Sequence, residues 1–266
     1  MMRLKSLLAT ALAAFAFVAS GMAPAYAADV VRMKFSDGRS DLVGIENVNA
    51  VLRTVGVRAS QVDIPQEAKP VLRAIKGRTF TDQEKAQLLK SFSLNRAQLL
   101  EQVRLAGRQP AAPRGGYLEI EAVDAGMYPN VNDLKTLTPS VLAQVNQRFG
   151  RLHVNTWEDG MGIDETMTVI AGGPFTWFFA LPNGVVTRVT ADAVGPDDKA
   201  FRISYPGLTI HGGFMPVDGV AVGIAHGPKK FVIRHEESSV SNAQLLGTNP
   251  WIDYRGDMPR LNDKVK

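Results

Sequence analysis

Residues 166–190 read TMTVIAGGPFTWFFALPNGVVTRVT. Runs rich in Thr, Val, Ile, Phe and Trp are separated by Gly172-Gly173-Pro174 and by Pro182-Asn183-Gly184. β-branched and aromatic side chains suit a pleated, half-buried surface, and Gly, Pro and Asn supply the backbone angles of turns. The stretch therefore predicts short strands folded back on one another. The texture extends in both directions. FRIS runs up to Pro206-Gly207, LTIHGGF precedes Asp218-Gly219, and VAVGIAH and KFVIRHE follow. No helical interlude breaks the series between Leu152 and Glu237, which predicts an antiparallel sandwich or barrel.

The chain before Leu152 has a different pattern. Val30 to Phe35 reads as a short strand closed by Asp37-Gly38. Ile45, Val48, Val51, Leu52 and Val55 then fall at helical spacing, with Gly56 as a stop. VLRAIKG gives a second helix ending at Gly77. Thr81 and Glu84 form a capping box for a third, which carries Ala86, Leu88 and Leu89. Ser93 is expected to cap a fourth, with Leu99, Leu100, Val103 and Leu105 on one face and Gly107 at its end. PAAPRGG at 110–116 is a Pro- and Gly-rich break, and Thr138 with Pro139 opens a last helix. The expected class is α+β, a helical N-terminal region followed by an antiparallel β-barrel or sandwich. Its divisions are a leader at 1–27, helices at 28–109, a linker and helix at 110–151, the β domain at 152–237, and a tail at 238–266 that Trp251 and Tyr254 hold onto it.

Composition narrows the function. Arg3 and Lys5, the apolar run Leu7 to Ser20 and the small residues of Ala25-Tyr26-Ala27 have the layout of a cleaved secretory signal, which predicts a periplasmic or secreted protein beginning near Ala28 or Asp29. The apolar run is short for a membrane span, and with no Cys there is neither a lipid anchor nor a disulfide nor thiol chemistry. Without Arg3 and Lys5, 28 basic residues face 26 acidic ones. That near-balance argues against nucleic acid as a partner, which calls for a concentrated basic stripe. The two helices joined by a short turn could be mistaken for a DNA-reading pair, but packing on a neighbouring sheet is the better reading of them in an exported protein. No Gly-x-Ser-x-Gly elbow, phosphate loop, dinucleotide fingerprint or His-Glu-x-x-His pair occurs.

All four His residues, 153, 211, 226 and 235, lie in the β-rich part. Imidazole is the commonest metal ligand and titrates near neutrality, so this clustering points to a metal or acid–base site. Residues two apart on a strand share a face, which places His153 and Asn155 together. Glu165 heads the strand after an acidic loop, and His211 precedes Gly212-Gly213, where backbone can approach a ligand closely. Each also has a plain reading: a strand-end His153, a solvated Glu165, a turn-capping His226, a surface His235 beside Glu236-Glu237. Phe175, Trp177, Phe178 and Phe179 read as core, with one face of their strand available to a pocket.

Residues 150–237 resemble the cupins, small β-barrels with two short motifs. HVN at 153–155 is similar to the paired His of the first motif, with Asn155 in place of the second His, and Glu165 and Gly172 keep that motif's Glu-to-Gly spacing. YPGLTIH is similar to the second motif, with Pro206 and Gly207 ahead of His211. Helices leading into such a barrel are also similar in order to the acireductone dioxygenases. The resemblance implies a metal site of His153, Glu165 and His211, with Asn155 and His226 beside it. Two His and one carboxylate suit a divalent first-row ion such as Fe, Mn, Zn or Ni. Two functions stay open: a metal-dependent oxygenase or isomerase acting on a small organic substrate, and a non-catalytic exported protein that binds a small-molecule ligand in a metal-free barrel. The Asn155 departure favours the second.

Overall fold

The computed structural model describes residues 30–74, 78–107, 126–158, 160–227 and 232–265. The leader at 1–27, Gly77 and the break at 110–116 lie outside the described residues. No described helix is long and apolar enough to cross a membrane.

Two five-stranded antiparallel sheets form a sandwich, the architecture expected for the β-rich half. One sheet is built from β1 (Val31–Phe35), β2 (Leu42–Val43), β7 (Phe175–Ala180), β8 (Val186–Ala191) and β10 (His211–Phe214), in the order β10-β7-β8-β1-β2. The other holds β3 (Arg58–Asp63), β4 (Gly126–Asp133), β6 (Asp164–Gly172), β9 (Lys199–Tyr205) and β11 (Gly219–Gly227), in the order β3-β9-β6-β11-β4. A short ribbon pairs β5 (Val154–Thr156) with β12 (Val232–Arg234), and another pairs β13 (Ile252–Asp253) with β14 (Arg260–Leu261).

The division into a helical region and a β domain differs from what the sequence suggested. β1 lies between β8 and β2, and β3 pairs along its length with β9, so residues from 28–109 complete both sheets. The helices described in that region are α1 (Ile45–Leu52), α2 (Ala68–Ala74), α3 (Asp82–Phe92) and α4 (Arg96–Leu105), and α5 (Pro139–Phe149) follows β4. The Thr81–Glu84 capping box is present and opens α3. Ser93 does not cap α4. It closes α3 through its N–H to the Leu89 carbonyl, and Asn95 caps α4 in a box with Gln98. Thr138 caps α5, with Pro139 at the first helical position.

Period-2 alternation builds the core between the sheets. Phe175, Trp177 and Phe179 of β7 face inward with Val31, Met33 and Phe35 of β1 and with Phe201 and Ile203 of β9. Phe178, Ala180 and Val186 face the other way, onto a second cluster that includes Leu246, Trp251 and Ile252 of the tail. Trp251 is buried there and its indole N–H donates to the Val186 carbonyl at 3.0 Å. Burying a side chain of that size contributes about 3 kcal/mol from apolar area alone. Asn146 fixes α5 to the start of the chain beyond β10: its amide donates to the Met215 carbonyl at 3.1 Å and accepts from the Met215 N–H at 2.7 Å.

Candidate functional site

Four of the five residues expected at the site meet at one end of the sandwich. His153 and His211 stand directly opposite each other, exchanging backbone N–H···O bonds of 2.8 and 2.9 Å. Facing residues of an antiparallel pair carry their side chains on the same side, and the two rings are 4.5 Å apart. Asn155, two residues on, shares that face. Its backbone N–H donates to Gly207, and a Cβ on Gly207 would lie 2.1 Å from the Ile163 nitrogen, so only Gly permits the approach. This is the local reason for the Pro206-Gly207 turn ahead of His211. Glu165 faces Tyr205 across the β6–β9 ladder.

The side chains form one network. The amide nitrogen of Asn155 donates to Glu165 Oε2 at 2.9 Å and contacts His211 Nε2 at 3.3 Å, and the Tyr205 hydroxyl donates to the same Oε2 at 2.7 Å. His211 Nδ1 is held by the Thr209 carbonyl at 2.8 Å and His153 Nδ1 by the Arg151 carbonyl at 2.7 Å. A carbonyl accepts only, so both Nδ1 atoms carry the proton and both neutral rings present a bare Nε2. His211 Nε2 and the carboxylate then both accept, and the atom between them has to be the amide nitrogen of Asn155. Asn155 Oδ1 is buried and has no partner among the described residues.

Burial dominates the electrostatics. It lowers the His211 pKa to about 4 and takes His153 well below the ordinary histidine range, the latter helped by repulsion from His211, His235 and Arg148. Burial also raises the Glu165 carboxyl above its ordinary value, against the downward pull of the Tyr205 and Asn155 hydrogen bonds. His235 is not simply on the surface as expected. It is half-buried 5.8 Å from His153, with Nε2 at 3.1 Å from the Arg148 carbonyl. His226 lies on β11 opposite Asp164, and its side chain is outside the described ones.

The network closes one end of a cavity of about 500 Å³. Its walls include Phe149, Met167, Phe175, Trp177 and Met215, with Ala221, Gly223 and Ala225 along one side. Those three small residues alternate on β11 with the buried Val220, Val222 and Ile224. The missing bulk on the inward face is what leaves the space.

No family model matches the chain, and no curated protein matches it. Among solved structures it is similar to an acireductone dioxygenase from Bacillus anthracis with a cadmium ion in its active centre. The identity is 16%, the TM-score 0.48, and the match covers 77% of this chain and 96% of that one. At that identity the likeness concerns the course of the chain alone.

Whether the residues here fit a metal is decided by their own geometry. A first-row ion needs lone pairs converging at about 2.0–2.2 Å. The Asn155 nitrogen, a donor only, stands between two of the three expected ligands. Among the described residues no group of three His, Asp or Glu side chains is arranged to hold an ion. As arranged, the described side chains do not fit a metal. Tyr205 and the small face of β11 were not singled out from the sequence. The strict large–small alternation of VAVGIA was the available signal for the latter.

Proposed function

We propose that the protein binds a compact, largely apolar small molecule in this cavity and does so without a metal. The observation that carries the reading is the 500 Å³ space itself, walled mostly by apolar, aromatic and Met side chains, with the polar network at one end and Asn132 on the wall formed by β4. Ligand sites are concave, mostly apolar and oriented by a few polar groups. Ala221→Phe places a ring in the space while leaving the polar network untouched. A neutral aromatic alcohol such as naphthylethanol is expected to bind the wild-type chain saturably in calorimetry, at one per chain, and to lose at least about tenfold in affinity in the variant. No binding to the wild type, or equal binding by a folded variant, overturns the reading.

The alternative of a metal-dependent oxygenase or isomerase using His153, Glu165 and His211 is favoured by one observation. Both imidazoles hold Nδ1 on backbone carbonyls, as ligating histidines do. Rotation of the Asn155 amide out of the network would be its precondition. We further propose that the protein is exported, on the strength of the Arg3/Lys5, apolar-run and Ala25-Tyr26-Ala27 pattern. N-terminal sequencing of the mature chain is expected to start near Ala28 or Asp29, and an intact Met1 would contradict this.

A further inference from the structure

The polar end also defines the chemistry of the molecule the cavity takes, an inference that rests on the cavity being a small-molecule site. Within the network of His153, Asn155, Glu165, Tyr205 and His211, each described donor is already engaged. The two Nδ1–H groups are on backbone carbonyls, the Asn155 amide hydrogens are on Glu165 and His211, and the Tyr205 hydroxyl is on Glu165. Acceptors remain. They are Nε2 of His153, Oδ1 of Asn155, which has no partner among the described residues, and the second oxygen of Glu165, which receives neither of the bonds made to Oε2. The described lining includes no Lys or Arg. An anionic head group would therefore meet lone pairs and a carboxylate, with no cation to offset them.

An ammonium group matches this end in both charge and hydrogen bonding. It has three donors and no acceptor, and it is the counter-charge that a carboxylate withdrawn from water requires. Tyr205 and Trp177 line the same cavity, and aromatic rings favour a cation over an anion. We infer that the cavity takes a protonated primary amine on a compact apolar body, with the ammonium against Glu165 and the body against the aromatic wall.

Three molecules sharing one naphthyl body separate the possibilities: naphthylethylamine, naphthylethanol and naphthylacetate. Calorimetry on the purified chain at neutral pH is expected to rank the amine at least about tenfold above the alcohol, which is about 1.4 kcal/mol, with the acid weakest. Glu165→Gln is expected to remove most of the amine's advantage and to change the alcohol's affinity by no more than about threefold. If that variant does not fold, the ranking on the wild type still decides the class. The alcohol or the acid binding as tightly as the amine overturns this inference and leaves the small-molecule reading standing. Binding of none of the three overturns both.

Discussion

His211 shows what a single residue contributes here. Its ring bonds to a backbone carbonyl through one nitrogen and accepts the Asn155 amide through the other, and burial lowers its pKa from 6.5 to about 4. Between those values the unfolded chain binds a proton that the folded chain does not, so stability falls as the pH drops through that window. For His211 the loss is on the order of 3 kcal/mol, and His153 shifts in the same direction. Glu165 acts in the opposite sense. Its raised pKa means that its ionisation weakens the fold as the pH rises through the carboxylate range. Urea midpoints measured from pH 7 to pH 4 are expected to fall steeply for the wild type and less steeply for His211→Gln. Parallel acid limbs would show that His211 is not buried in its neutral form. The convergence of His153, Asn155, Glu165 and His211 was legible because strand periodicity and the Pro206-Gly207 turn are local features. Tyr205 was not legible, since its bond to Glu165 depends on the register between β6 and β9. The half-buried place of His235 likewise depends on where the chain returns beside Arg148.

Elements were legible where their signals lie close together in sequence. The box of Thr81 and Glu84 and the pair Thr138-Pro139 each sit within four residues, and both helix starts are found where they were read. Ser93 and Asn95 are both good caps, and the choice between them falls to Gln98, three residues after Asn95, whose side chain returns to the Asn95 N–H at 2.8 Å. β3 escaped because RASQVD has little apolar alternation. Its partner β9 is more than a hundred residues away, and that pairing stabilises it rather than propensity. β11 was read as a strand, and its consequence lay in the difference between its two faces. Val220, Val222 and Ile224 on one side are buried, and Ala221, Gly223 and Ala225 on the other leave the cavity open.

At the scale of the whole molecule, the sandwich of two antiparallel sheets follows from the strand-rich half, and the resemblance to cupins implied the same arrangement. The sequence divided the chain into a helical part and a β part, because short-range pattern does not show that strands from the first complete both sheets of the second. Within the β-rich half itself, β6 and β9 of one sheet and β10 of the other meet the segment that carries β5, which is how His153, Asn155, Glu165 and His211 come to share one network. In that network the Asn155 amide nitrogen stands between Glu165 and His211 in place of an ion, and the cavity beside it is left for an organic ligand. The most direct test is the metal content of the purified chain after equilibrium dialysis against Fe(II), Mn(II), Ni(II) and Zn(II) in turn. Retention is expected to stay well below one ion per chain, unchanged in His211→Ala. One ion retained per wild-type chain and lost in His211→Ala would contradict it.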